Sequence, residues 1–169
     1  MAILETDSQH GVITVTINRP EKRNALSREV LAELASAFTD AARDDGLKAA
    51  VVTGAGDKSF AAGGDLKDLE GIRTLDDAQA MADGAKQAFE TIRRFPVPVI
   101  AALNGDALGG GAELAVACDF RIFADHAHIG FVQGRLNIST AWGGGVDLMR
   151  LVGPAVGLRL LSRVELITG

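Results

Sequence analysis

Asn104-Gly105-Asp106-Ala107-Leu108-Gly109-Gly110-Gly111-Ala112-Glu113-Leu114 is the stretch on which the reading of this chain turns. The apolar run Val97 to Leu103 leads into it as a strand, and a helix-like run from Glu113 to Cys118 leads out. Three consecutive glycines at such a junction cost backbone entropy, so something must offset them. One compensation is a ligand: with no Cβ in the way, N–H groups at a helix N-terminus can point at a negatively charged oxygen. Glu113, one short turn inside the helix, would then be able to exchange a proton with whatever is bound. The other compensation is close packing of two elements around a glycine-rich turn. Both readings stand open on this stretch alone.

The chain has 169 residues, 47% hydrophobic and 23% charged, which suits one globular domain with a real core. Its net charge is -5, with Lys and Arg scattered. That argues against a nucleic-acid or membrane-surface partner, since both need a concentrated basic patch. Cys118 is the only cysteine, so no disulfide forms within the chain and a reducing, cytoplasmic setting is expected. The first eleven residues lack the basic-then-apolar pattern of a secretory signal. The run Val97 to Leu103 contains Pro98 and is far too short to span a bilayer.

Outward from the glycine stretch, the pattern is strand, glycine loop, helix, repeated, which is an α/β signature. Residues 12–17 alternate as a strand behind a turn at Gly11. Ser27 is an N-cap for a helix from about Arg28 to Arg43, whose Val30, Leu31, Leu34, Phe38 and Ala41 make one apolar stripe. Ala49 to Thr53 reads as a short buried strand followed by a loop through Gly64, and Asp76 or Asp77 as the cap of a helix to about Arg94 with Met81, Ala85, Ala88, Phe89 and Ile92 inward. After the central helix come a strand, Phe120 to Ala124, an irregular stretch, His128 to Gly145, and two short helices, Val146 to Leu151 and Ala155 to Leu161.

A second glycine loop, Phe60-Ala61-Ala62-Gly63-Gly64-Asp65-Leu66, repeats the logic of the first. Two such loops, each offering an N–H, can converge on one oxygen as an oxyanion hole. Other chemistries find less support. Gly54-Ala55-Gly56-Asp57-Lys58-Ser59 has Ser59 in place of the third glycine of a dinucleotide fingerprint, with no helix directly after it. A serine hydrolase would require Gly-x-Ser-x-Gly, which is lacking. His126 and His128 have only Asp125 nearby as a further ligand type, so no metal site is expected. Trp142, before Gly143-Gly144-Gly145, reads as a buried anchor that can also wall a pocket.

Asn24-Ala25-Leu26-Ser27, Phe60 to Leu66, Pro98 to Ala102 running into Asn104-Gly105 through Glu113, and Cys118-Asp119-Phe120-Arg121 resemble, in order and spacing, the enoyl-CoA hydratase/isomerase (crotonase) family. The resemblance covers nearly the whole chain. It implies a crotonase-like spiral of ββα units, trimers or pairs of trimers, and acyl-CoA thioester substrates, with coenzyme A as part of the substrate and no tightly bound cofactor. Carried over by position, it implies hole donors at the N–H groups of Gly64 and Gly110. It implies coenzyme A contacts around Lys22, Arg23 and Ala25 and at Ala62, Asp65, Leu66 and Lys67. The basic residues of that set suit the phosphates of coenzyme A. Glu113 matches the first catalytic acid of the hydratases.

Two departures qualify the resemblance. The position of the family's second glutamate is held by Gln133, within Gly130-Phe131-Val132-Gln133-Gly134, and glutamine has no proton to exchange. Phe131-Val132, Ile138 and Trp142-Gly143-Gly144 resemble instead the family's alkylmalonyl-CoA decarboxylases, whose chemistry is compatible with one carboxylate. The chain also ends at Gly169, where family members continue into helices that cover the coenzyme A site and help build the trimer. It is expected to form a single core domain lacking that segment. The expectation is therefore a lyase that stabilises a thioester enolate, of hydratase, isomerase or decarboxylase type. Its competitors are a non-catalytic acyl-CoA-binding or assembly module and, more distantly, a dinucleotide-dependent oxidoreductase.

Overall fold

The structure, a computed structural model, describes residues 2–169. In chain order its elements are β1 (Leu4–Gln9), β2 (Val12–Ile17), α1 (Arg28–Ala41), β3 (Ala49–Gly54), β4 (Ser59–Ala61), α2 (Leu66–Leu69), α3 (Leu75–Arg93), β5 (Val99–Leu103), β6 (Asp106–Leu108), α4 (Gly110–Ala117), β7 (Phe120–Phe123), β8 (His128–Gly130), α5 (Gly144–Val152), α6 (Pro154–Arg163) and β9 (Leu166–Thr168). One sheet has the order β1-β2-β3-β5-β7 and the other β4-β6-β8-β9. From β3 to β8 successive strands alternate between them. The pairs β3–β4, β5–β6 and β7–β8 each add one parallel strand to each sheet, and helices follow: the spiral of ββα units that the resemblance implied.

The longer elements follow from local chemistry. In β2 and β3, alternate residues are buried and the rest half-buried, as period-2 side chains require. Ser27 caps α1, its hydroxyl accepting from Val30 N–H, and Val30, Leu31, Leu34 and Phe38 are buried as the stripe predicts. The cap of α3 lies earlier than Asp76 or Asp77. Thr74 accepts from Asp77 N–H while the Asp77 carboxylate accepts back from Thr74 N–H, so a reciprocal capping box starts the helix at Leu75. The central helix also begins three residues before Glu113, at Gly110.

The second strands of the units, β4, β6 and β8, have three residues each and lie inside stretches that read as loops. Three residues are too few to display a period. Two buried or half-buried asparagines brace these short strands. Asn24, fully buried, donates to the carbonyls of Ala55 and Ser59 and accepts from Arg19 N–H. Asn104 accepts from Gly54 N–H and donates to the carbonyls of Gly56 and Ser59. Both belong to the motifs that carry the family resemblance, and their role is to hold the glycine loops in place.

Candidate active site

The two glycine loops meet. A Cβ built on Gly63 would lie 3.2 Å from Leu108 O and 3.7 Å from Gly110 N, so the backbones run in van der Waals contact. The loop before Gly64 is tied down by parallel bridging to Leu26: Leu26 N–H donates to Gly63 O at 2.8 Å and Asp65 N–H to Leu26 O at 3.0 Å. That pattern leaves Gly64 N–H unused, and Gly110 N–H heads α4 with no intrahelical partner. Among the described residues neither amide donates to a protein acceptor.

Close packing accounts for part of the glycine run. A Cβ on Gly111 would collide with the backbone of Ala61, which is the close-packing reading. A Cβ on Gly110 would run into the ring of Trp142, and one on Gly64 would lie 3.3 Å from the same ring. Gly109 supplies the turn, with φ +54° and ψ −116°, a conformation closed to residues with a side chain at ordinary cost. The indole of Trp142 thus lies across both glycines. It is at once a core anchor, packed edge-on to Phe89, and a cavity wall.

The cavity so formed has a volume of about 220 Å³. Gly64, Gly110, Glu113 and Gln133 all line it, with Ala62 and Leu66. Its remaining wall is mostly apolar: Leu69, Met81, Val132, Leu136, Ile138, Ala141 and Trp142. Glu113 is the one titratable side chain on that wall and is 2% exposed. Gln133 Nε2 donates to its Oε1 at 2.9 Å, and the N–H groups of Trp142 and Gly144 donate to its Oε2 at 3.0 and 2.9 Å. Burial raises its pKa above the ordinary carboxylate value, against the opposing pull of those three donors. The side-chain amide oxygen of Gln133, Oε1, is buried without a hydrogen-bond partner among the described residues.

Of the residues matched to coenzyme A contacts, Ala62 and Leu66 line the cavity and the others flank the Gly64 loop. Lys22 and Arg23 are exposed in the turn after β2, and Ala62 N–H donates to Arg23 O, which seats that turn at the cavity rim. Lys67 is exposed at the start of α2, and the Ala25 carbonyl accepts from Arg19 Nη1. Asp65 has a structural task. Its carboxylate caps α2 and pairs with buried Arg19 at 2.7 Å, which holds it below the usual carboxylate range. No sequence pattern singles out Arg19, so this pair was missed. Missed too were the amides of Trp142 and Gly144 as holders of Glu113, although the run Gly143-Gly144-Gly145 carried the signal. A Cβ on Gly144 would collide with the Glu113 side chain.

Other groups stand apart. Burial pushes the Cys118 thiol up to about 12, so it supplies no thiolate. His126 Nε2 contacts Asp57 O, and His128 Nδ1 lies 2.9 Å from Asp106 Oδ1. Among the described residues no group of three or more His, Cys, Asp or Glu side chains is arranged to hold a metal. Among the described residues no helix is long and apolar enough to cross a membrane.

Alternating ββα units whose glycine loops frame a buried glutamate define the crotonase fold class. The sequence profile described as enoyl-CoA hydratase/isomerase matches residues 7–168, so the chain belongs to that family. It is similar to a crotonyl-CoA hydratase of Syntrophomonas wolfei, 41% identical over 98% of this chain and 62% of that protein. It is also similar to an ethylmalonyl-CoA decarboxylase of Xenopus laevis, 32% identical over 92% of this chain and 52% of that one. The crystal structure of an enoyl-CoA hydratase from Bacillus anthracis superposes with a TM-score of 0.94 at 34% identity, covering 99% of this chain and 65% of that one. The chain spans about three-fifths of the length of the curated hydratases it matches.

Proposed function

We propose that this chain is the catalytic core of an enzyme that stabilises the enolate of an acyl-CoA thioester. The supporting observation is the convergence of two unpartnered backbone amides and one buried carboxyl on a single apolar cavity. The amides of Gly64 and Gly110 are the donors of an oxyanion hole. In a cavity that excludes water, such donors stabilise charge that develops on the thioester oxygen. The N-terminus of α4 adds its partial positive charge. Lys22, Arg23 and Lys67 attract the phosphates of coenzyme A, while Ala25, Ala62, Asp65 and Leu66 contact it with backbone and apolar atoms.

The reaction that best suits one acid is loss of CO₂ from an alkylmalonyl-CoA. The bond between the carboxylate carbon and the α carbon breaks, CO₂ departs, and its electron pair becomes the thioester enolate. Protonated Glu113 delivers its proton to the α carbon, giving the acyl-CoA, and is reprotonated from solvent. No base has to remove a carbon-bound proton. Gln133 holds Glu113 and takes no proton itself. The ethylmalonyl-CoA decarboxylase relatives support this reading.

Hydration of an enoyl-CoA is the second reading, favoured by the hydratase relatives of higher identity. Glu113 would then both activate water and return the proton. Assay of the purified protein with ethylmalonyl-CoA and crotonyl-CoA separates the two. Release of CO₂ with little hydration is expected; efficient hydration with Gln133 in place overturns decarboxylation. Binding of acyl-CoA in calorimetry without turnover of either substrate would point to a non-catalytic module. Assembly into trimers or pairs of trimers belongs to the same proposal, and analytical ultracentrifugation measures it.

A further inference from the structure

We infer that Met81 sets the length of acyl chain the site accepts, as a movable stop between the cavity beside Glu113 and a second void between α1 and α3. The inference rests on the acyl-thioester reading above and adds a residue that limits its substrate. The indole of Trp142 supplies the geometry. Its six-membered ring lies against Gly64 and Gly110, where the thioester is held, and at its other edge Nε1 donates to Met81 Sδ at 3.3 Å. A chain lying along the indole away from the glycines therefore runs up against the Met81 side chain.

Beyond Met81 there is room. The residue lines both the 220 Å³ cavity and a neighbouring void of about 460 Å³. That void is walled by small and apolar side chains, Leu31, Ala32, Ala35, Ala80 and Ala85, with Gly84, around which a Cβ would meet nothing within 4 Å. Polar groups line its edge: Arg28, which pairs with Asp68, Asp77, whose carboxylate is taken up by the N–H groups of Arg73 and Thr74, and Gln87. The apolar stretch next to Met81 suits methylene groups. Methionine is the adaptable stop: unbranched, with rotatable bonds, and held here by one weak indole-to-sulfur hydrogen bond.

The test is calorimetry of straight-chain acyl-CoA binding, from butanoyl to dodecanoyl, with the wild type, Met81→Ala and Met81→Phe. Met81→Ala joins the two voids and is expected to improve dodecanoyl relative to butanoyl binding by about 10-fold or more, the scale of a few methylenes in an apolar pocket. Met81→Phe fills the passage and is expected to weaken the longer chains by a larger factor than butanoyl, so the inference remains testable if Met81→Ala fails to fold. Retained binding with the same length profile in wild type and variants overturns the role of Met81 alone. Absence of binding at every length in the wild type overturns the acyl-thioester reading, and this inference with it.

Discussion

Gln133 Nε2 donates to Glu113 Oε1 at 2.9 Å, so the glutamine that the resemblance sets in place of a second acid holds the buried glutamate. Gln133→Glu puts a second carboxyl where that amide now donates. A site with two acids can activate water with one group and deliver a proton with the other, a device worth on the order of 10²-fold or more. The variant is expected to gain crotonyl-CoA hydration by about that factor, measured by loss of the enoyl absorbance. Hydration unchanged from wild type would show that this position does not limit the reaction.

The pH profile distinguishes the reactions by its direction. Burial raises the pKa of Glu113. If the protonated form gives its proton to the enolate, kcat falls as pH rises through that raised value. If the ionised form activates water, kcat falls as pH drops through it. Decarboxylation predicts the first limb, and Glu113→Gln is expected to abolish it along with most turnover.

The same shift bears on stability. A carboxyl whose folded pKa exceeds its unfolded value binds its proton more tightly in the native state. Its stabilising contribution is full below the unfolded value and is lost as pH rises through the folded one. The stability of wild type relative to Glu113→Gln should therefore decline across that window. Urea unfolding at a series of pH values measures it, and a rising difference would contradict the raised pKa.

The glycines of the central run should differ sharply in tolerance. Gly109→Ala is expected to cost about 1–3 kcal/mol from its backbone conformation, since the nearest atom to its Cβ is 3.8 Å away. Gly111→Ala drives a methyl into the backbone of Ala61 in β4 and should cost more, because neither element can move aside. Gly110→Pro removes one proposed hole donor and also drives its Cβ into the Trp142 ring, so it is expected to lower turnover by at least about 10²-fold and to lower stability as well. Thermal unfolding and steady-state rates of the three variants test this ordering.

Behind the site, Arg93 in α3 pairs with buried Asp147 in α5 at 2.7 Å, and its guanidinium also reaches the carbonyl of Trp142. This pair fastens the turn whose amides hold Glu113. Asp147→Asn is expected to cost about 1–3 kcal/mol and to lower kcat with little change in KM. A change confined to KM would show that the turn positions substrate instead.

Much of the scaffold was legible from local pattern. The stripe Val30, Leu31, Leu34 and Phe38 and the cap Ser27 gave α1, and alternation gave β2 and β3. The short strands β4, β6 and β8 were legible only through the family resemblance, because their three residues express no period. β1 was missed because its side chains, exposed from Glu5 onward, show no buried face.

By itself the sequence determined where backbone is bare and which carboxyl follows it: the two glycine runs and Glu113. These are facts of covalent order. Only the tertiary structure decided what those residues meet. Trp142 across Gly64 and Gly110, the amides of Trp142 and Gly144 on Glu113, Arg19 on Asp65, and Met81 between two voids are all contacts between residues distant in the chain. Close packing makes each depend on the positions of several elements at once, and no local pattern encodes that.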